Sequence, residues 1–173
     1  MLTVAAVPAA AAIPRQDWER LCPAGHPFLN ADFLTIVEAH GAASAAAGWQ
    51  ASHLLARDAA GQTVGILPLY LKSHSHGEFI RDWQWAGAYR QLGRRYYPKL
   101  LTGLPHTPVV GPRLLVAPGP AAAAIRQVLA DGARALAHEH QLSSWHVALP
   151  GADDTAFLQG EGLLTSHDIQ FQW

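Results

Sequence analysis

The longest regular pattern of hydrophobic and polar positions covers residues 121–140. Small and apolar side chains recur there at intervals of three and four residues, which places them on one side of a helix, at Ile125, Val128, Leu129, Gly132 and Leu136. Charged residues such as Arg126 and Asp131 fall on its other sides. Pro120 suits the first turn, where its missing N–H has no helical partner. The pattern predicts a helix over Ala121–His140.

Two shorter helices are predicted near the start of the chain. The first begins at Pro14 and is ended by the Cys-Pro-Ala-Gly stretch at 22–25. The second covers Ala31–His40, with Asn30 as its N-terminal cap and Gly41 at its end. Its apolar side carries Phe33, Ile36, Val37 and His40.

Runs rich in β-branched and apolar residues predict a sheet. Ser52–Arg57 and Thr63–Lys72 form a hairpin around the turn residues 59–62. Gly65 and Pro68 are unfavourable inside a central strand, so a bulge or a sheet edge is expected there. The remaining predictions are strands at Glu78–Trp83, Lys99–Leu104, Val109–Val116, Trp145–Leu149 and Ile169–Trp173, a short helix or turn at Ala86–Gly93, and a short helix from Asp153 or Asp154 to Gly160.

Strands mixed with a long crossover helix predict an α/β fold with a mixed (α+β) sheet. The chain has 173 residues, enough for one domain with its own core. We assign that domain to residues 15–173. Residues 1–14 are expected to form a flexible or loosely docked lead-in.

Composition and charge narrow the possible functions. The formal net charge is -1, so no strong basic field attracts DNA. Cys22 is the only cysteine, which excludes an internal disulfide and fits a reducing compartment. The Ala-rich start lacks the basic region of a signal peptide, and no apolar run of about 18 residues predicts a membrane span. A cytoplasmic protein without a transmembrane segment is expected.

The segment Tyr70–Trp85 holds most of the residues capable of chemistry. In an extended chain, His74, His76 and Glu78 would share one face, a plausible ligand set for zinc or iron. Gly77 permits a turn that would break this alternation. Alternatively, His74, Glu78 and Asp82 serve as proton donors and acceptors. The third interpretation is a polar loop whose side chains satisfy main-chain groups or face water.

Aromatic and basic residues follow this segment. Trp83, Trp85, Tyr89 and Tyr97 could line a cleft for an amphipathic ligand, or belong to the core. Further candidates for substrate contacts are Lys72, Ser75, Lys99, Thr107, Gly111 and Arg113. Lysine and arginine can hold an anionic group, and glycine allows close approach of the main chain. The alternative is a solvated basic face followed by ordinary turns.

The junction before the long helix has the strand–turn–helix arrangement that attracts anions. However, Pro118 and Pro120 each remove an N–H from the place where donors are needed. This counts against tight binding of a pyrophosphate at that turn.

Several long stretches resemble the FemAB-like family of bacterial proteins, described as peptidoglycan biosynthesis or recognition proteins within the GNAT acyltransferase superfamily. The resemblance is carried by HPFLNADFLTIVEAHG, GILPLYLKSHSHGEF and DWQWAGAYRQLGRRYYPKLLTGLPHTPVVGPRLL, and it extends from about Ile13 onward. It implies a GNAT-like acyl-CoA N-acyltransferase fold, as one lobe of a two-lobe protein whose C-terminal lobe lies outside this chain. Relatives in the wider family transfer amino acids from aminoacyl-tRNA to peptidoglycan precursors, and GNAT enzymes use acetyl-CoA, so these are the candidate donors.

The resulting hypothesis is an acyl- or aminoacyl-transferase domain acting on an amine, with a peptidoglycan precursor or another small molecule as substrate. The alternative is a lobe that only binds substrate, and a small metalloenzyme is a minor alternative. If a second lobe is absent, the edge around Ile169–Trp173 should be exposed and prone to self-association.

Overall fold

A computed structural model describes residues 1–80 and 82–167 of the protein. It contains strands β1 (Thr3–Val7), β2 (Trp49–Ala51), β3 (His53–Arg57), β4 (Thr63–Leu67), β5 (Tyr70–Lys72), β6 (Lys99–Thr102), β7 (Leu115–Val116) and β8 (Trp145–Val147). The α-helices of the described residues are α1 (Arg15–Leu21), α2 (Ala31–Ala39), α3 (Trp83–Gln91), α4 (Ala122–Glu139) and α5 (Ala152–Gly160). The predicted mixed α/β class is confirmed.

The strands form two sheets, in the orders β1-β3-β4-β7 and β2-β5-β6-β8. All pairs are antiparallel except β6 and β8, which are parallel. Helix α4 connects β7 of the first sheet to β8 of the second. The predicted strand Thr63–Lys72 is interrupted at Pro68, which removes a ladder donor, and its two parts belong to different sheets.

The first sheet is covered on both faces. Leu54, Ala56 and Leu67 pack against α4, while Leu55 and Ile66 pack against residues of α1 and α2. This follows from the two-residue period of strands, which sends neighbouring side chains to opposite faces. Gly65 lets α4 approach closely, because a Cβ there would lie 2.6 Å from Ile125 Cγ2. The register shifts between Ala56 and Arg57, opposite this glycine, as the expected bulge requires.

The N-terminal lead-in differs from the prediction. Residues Thr3–Val7 pair with the whole of β3 and form an edge of the first sheet. Ala10 and Ile13 are buried, and the N–H of Ala10 donates to Glu38 Oε2 at 2.7 Å. Main-chain groups of β1 pair with a strand some fifty residues away (Thr3 with Arg57). The Ala-rich residues of β1 therefore contain no local pattern that predicts this strand.

Several other elements differ from their predictions. The strand predicted at Glu78–Trp83 is not found, since residues 78–80 and 82 are not in a strand and α3 begins at Trp83. The strand expected over Val109–Val116 is reduced to β7, because Pro108 and Pro112 cannot donate to a ladder. Gly151, not an aspartate, is the N-cap of α5. Leu34 is the buried residue of α2, while Ile36 is 56% exposed. The strand predicted at Ile169–Trp173, and the association-prone sheet edge expected there, lie outside the described residues.

The other local predictions agree with the structure. Helices α1, α2 and α4 match their predicted spans to within two residues, and Asn30 accepts the N–H of Phe33 as the expected cap. Asp58 closes the β3–β4 turn by accepting from the N–H groups of Ala60 and Gln62. Within residues 1–80 and 82–167, no helix combines the length and hydrophobicity needed to cross a membrane.

Candidate functional site

Two lysines and two carboxylates meet in the second sheet. Lys72 and Lys99 are the only lysines of the chain. They are opposite each other across β5 and β6, and both are 0% exposed. Trp49 on β2 lies opposite Lys72, so a row of Trp49, Lys72 and Lys99 crosses three strands. Two like charges side by side in the interior require counter-charges nearby.

The segment after β5 supplies these counter-charges. Lys99 Nζ lies 2.7 Å from Glu78 Oε2 and 2.5 Å from Asp82 Oδ2. Lys72 Nζ lies 3.8 Å from Glu78 Oε1. The carboxylate side chains are at most 2% exposed. We call Lys72, Lys99, Glu78 and Asp82 the lysine–carboxylate cluster.

Three hydroxyl groups extend the hydrogen-bond network from Asp82 Oδ2. Ser75 Oγ donates to Asp82 Oδ2 at 2.7 Å, and Tyr96 OH donates to the same oxygen at 2.9 Å. Ser75 Oγ also lies 2.7 Å from Tyr97 OH. Because a serine hydroxyl has a single proton, the proton in that second contact must come from Tyr97. Ser75 therefore links Tyr97 to the cluster.

The charged group of Lys72 lies in largely apolar surroundings. Its Nζ lies 3.6 Å from the centroid of the Trp49 ring and donates to the main-chain oxygen of His76 at 3.3 Å. Loss of hydration by burial lowers the pKa of Lys72 to about 8, and the nearby Lys99 charge acts in the same direction. This amine can therefore exchange a proton at pH values close to neutral.

The two carboxylates differ in acidity. Burial raises the pKa of Glu78, and its contacts with the lysines only partly offset this. Burial acts in the same direction on Asp82, but hydrogen bonds from Lys99 and Ser75 outweigh it and lower the pKa of that carboxyl. Glu78 Oε1, Asp82 Oδ1 and Trp49 Nε1 are buried without a hydrogen-bond partner among the described residues. Glu78 is thus the more basic carboxylate, and one of its oxygens is available.

The histidines do not join Glu78 as the extended-strand interpretation required. Residues 73–77 form bends and turns, and Gly77 has a φ of 78°. His74 Nδ1 accepts the N–H of His76 at 3.2 Å, and burial lowers the pKa of His74. The lone pair of this neutral ring is thus already used. The part of the chain that the structure describes contains no group of three metal-ligating side chains.

The predicted aromatic contacts are only partly assembled. Tyr97 reaches the cluster through Ser75, and Tyr89 packs edge-on against Tyr96 at 5.2 Å between ring centroids. Trp83 and Trp85 instead face solvent, at 64% and 63% exposure.

The loop between β6 and β7 has its polar groups engaged within the fold. Arg113 is buried, and its guanidinium donates to the main-chain oxygens of Ala148, Pro112 and Val109. Burial lowers the pKa of Arg113 to about 10. Thr107 Oγ1 donates to Pro105 O, and the N–H of Gly111 donates to Leu149 O. These contacts are structural, so we do not include the three predicted residues of this loop in the site.

Two open cavities lie elsewhere. One, of about 340 Å³, is formed by α1 and the start of α2 and includes Cys22 and His26. The other, of about 480 Å³, lies at the end of α4 and includes Arg134 and Ser144. Neither is lined by a predicted site residue. A ligand therefore reaches the lysine–carboxylate cluster only if the segment that covers the cluster, between β5 and α3, moves.

Sequence analysis missed Trp49 and two histidine contacts. His53 Nε2 lies 2.8 Å from Glu38 Oε1, and its Nδ1 accepts the N–H of Leu69. Both ring nitrogens are thus engaged, which makes this pair structural. Ser144 Oγ lies 2.9 Å from His146 Nε2, and burial lowers the pKa of His146 to about 4. Fifteen residues separate Glu38 from His53, so no local pattern could have linked them.

Comparison with known proteins gives one result. No curated protein and no solved structure was found to match the chain. The profile of a family described as FemAB-like, peptidoglycan biosynthesis/recognition, matches residues 9–173, which is nearly the whole chain. The protein therefore belongs to the FemAB-like family.

Proposed function

We propose that this chain is a domain of an acyl- or aminoacyl-transferase that acts on an amine of a peptidoglycan precursor, with Glu78 as the general base. The observation that carries the proposal is the hydrogen bonding of the two oxygens of this carboxylate. Lys99 holds Oε2 at 2.7 Å, while Oε1 has no hydrogen-bond partner among the described residues. Its raised pKa makes it a better proton acceptor than an ordinary glutamate.

The proposed step moves one proton. The acceptor amine attacks the carbonyl carbon of a thioester or ester, the new C–N bond forms, and the bond to the carrier breaks. The amine proton passes to Glu78 Oε1 and then to the departing thiolate or alkoxide. Lys72, whose Nζ lies 3.8 Å from that oxygen, supplies positive charge for the negative charge that develops on the carbonyl oxygen. Asp82 acts as a positioning residue, since it holds Lys99 and Ser75.

The proposal requires residues 73–82 to move, because the side chain of Glu78 is 0% exposed. The described residues of this segment, 73–80 and 82, form no strand, and α3 follows only at Trp83. Its Phe79 has a φ of 58°, a strained value for a residue other than glycine. A strained segment without regular secondary structure is a suitable cover for a site that must open, and opening breaks the contacts of Lys99 with Glu78 and Asp82.

The test is transfer to a peptidoglycan stem peptide with a free amine, using acetyl-CoA and aminoacyl-tRNA as alternative donors in the protein that carries this chain. Glu78→Gln should reduce turnover by roughly 10²–10⁴-fold. The matched control is Glu139→Gln, at an exposed position near the end of α4. Wild-type turnover in Glu78→Gln would remove this carboxylate from the mechanism.

A second candidate function is substrate recognition without catalysis. It is favoured by the engaged lone pair of His74 and by the start of α4, where Pro118 and Pro120 supply no N–H and no side chain caps the helix. Thermal shift separates the two functions. Stabilisation by acetyl-CoA supports catalysis, and stabilisation by muropeptide alone supports recognition.

Three further elements of the proposal rest on family membership and general chemistry. Both candidate donors are cytoplasmic molecules, so we place the reaction in the cytoplasm. We retain a GNAT-like arrangement of the strands and a second, similar lobe as a partner. A ligand-bound structure of a longer chain would test the last two points directly.

A further inference from the structure

The region around α3 exposes an unusual amount of apolar surface. Phe79, Trp83, Trp85 and Leu92 are between 62% and 73% exposed. They are half of the exposed large hydrophobic side chains in residues 1–80 and 82–167, although they fall within fourteen positions (79–92). Helix α3 has no buried residue. Isolated apolar residues at a surface are normal, but such a concentration indicates an interaction site.

The same region is basic. Arg90, Arg94 and Arg95 are exposed, and none forms an ion pair with a described residue. The sequence contains no aspartate or glutamate from Trp83 to Ala130, whereas the chain as a whole has a net charge of -1. Asp82, which precedes the helix, is neutralised by Lys99. Charge is therefore segregated, and the surface around α3 has a local positive field.

We propose that this α3 surface, formed by Phe79 and the exposed apolar and arginine side chains of residues 83–95, binds peripherally to an anionic phospholipid bilayer. Tryptophan, phenylalanine and leucine insert at the boundary between headgroups and acyl chains, while arginines contact lipid phosphates. Charge complementarity thus selects the partner. Nucleic acid fits less well, because three arginines on a chain of net charge -1 give little counterion release, and Leu92 cannot stack on a base.

The geometry limits how tightly the surface binds. A helix of nine residues is about 13 Å long, so it lies on the membrane and does not span it. Its N-terminus is anchored, since Asp82 is joined to Lys99 within the lysine–carboxylate cluster. Binding should therefore be reversible, dependent on anionic lipid and weakened by salt. The proposal is independent of acyl transfer, because none of the side chains proposed to contact lipid takes part in the proposed chemistry.

The test is co-sedimentation of the full chain with vesicles of phosphatidylcholine alone or with about one third phosphatidylglycerol. Binding is expected only to the anionic vesicles, with a blue shift of tryptophan fluorescence and loss in about 0.5 M NaCl. Each arginine replaced by glutamine should weaken partitioning by roughly five-fold, and R90Q/R94Q/R95Q by about a hundred-fold. W83A/W85A should abolish the blue shift.

Matched controls are R57Q and I36A, which change an exposed arginine and an exposed isoleucine elsewhere. Both should bind like wild type, and circular dichroism should show that every variant is folded. Equal binding to both vesicle types, or unchanged binding in the α3 variants, would overturn the proposal. Binding to single-stranded RNA in place of anionic vesicles would overturn it as well and assign the surface to nucleic acid.

Discussion

Replacing Lys99 with methionine tests how the buried charges are held. Lys99 Nζ is hydrogen-bonded to Glu78, Asp82 and Ser75, and it provides the one hydrogen bond that Glu78 side-chain oxygens make among the described residues. In K99M the cluster would retain two carboxylates and only Lys72 as a cation. Removing one partner from a buried ion pair costs about 3–5 kcal/mol, because the remaining charge stays out of water.

The expected loss is large for a chain of 173 residues. It corresponds to a fall in Tm on the order of 10 °C, and to a lower urea midpoint with an unchanged slope. Tryptophan fluorescence during urea unfolding is the assay. K72M is the comparison, since Lys72 has one longer hydrogen bond to His76 O and methionine can keep its packing on Trp49. We expect K72M to lose less than half as much as K99M.

A second substitution should restore part of the loss. In K99M/E78Q, Lys72 and Asp82 remain as one cation and one anion, so the double variant should regain about 1–3 kcal/mol. Lower pH should act in the same direction. The folded state of K99M binds a proton at Glu78 more tightly than the unfolded chain does, so the free energy of unfolding rises as pH falls. A fully stable K99M, or a double variant no better than K99M, would refute this account.

Three further predictions concern the remaining structure. The folded-state pKa of Lys72, about 8, is below its ordinary 10.5, so unfolding between these pH values should take up a proton at Lys72, and the stability of wild type relative to K72M should increase as pH rises from about 8 to 10.5. A difference that does not change with pH would contradict the assigned burial. G65A should lower the free energy of unfolding by about 1–3 kcal/mol, because the new Cβ would collide with Ile125. G87A, which has open space around it in α3, should raise that free energy by up to about 1 kcal/mol, measured by urea unfolding. D154A should lower the free energy of unfolding by about 2–5 kcal/mol and D154N by less, because Asp154 accepts hydrogen bonds from the N–H groups of Arg113 and Leu114. Equal urea midpoints for wild type and D154A would exclude a stabilising role of these hydrogen bonds.

The elements that could be predicted from sequence carry their signals locally. The end signals of α2 lie within a turn of the helix, and the periodicity of α4 lies within the helix itself. The elements that could not be predicted depend on partners far away in the chain. Strand β1 exists because β3 offers an open edge. Pro68 indicated an irregularity, but only the pairing of β5 with β2 and β6 shows that the chain changes sheets there.

The candidate site shows the same division. Lys72, Ser75, Glu78 and Asp82 stand out in the sequence as polar residues in one short segment, and the structure brings their side chains together around Lys99. Their geometry was not predictable, because a turn at Gly77 directs Glu78 inward and the register of β5 with β6 brings Lys99 beside Lys72. Trp83 was expected to line a cleft or to belong to the core, but it faces solvent because the chain leaves the interior at Asp82.

The energetics of the lysine–carboxylate cluster connect the fold to the proposed chemistry. Buried ion pairs contribute little net stability, and well-packed apolar side chains could replace them at no loss. Unpaired oxygens such as Glu78 Oε1 cost about 1–3 kcal/mol each. The raised pKa of Glu78 shows that its charge is held against the preference of its surroundings. Glu78→Gln keeps an acceptor for Lys99 but leaves two lysines beside one carboxylate. Because Lys72, whose pKa is about 8, can give up its proton, the variant should lose less stability than K99M. A stable variant that has lost transfer would mean that this carboxylate serves the reaction and not the fold.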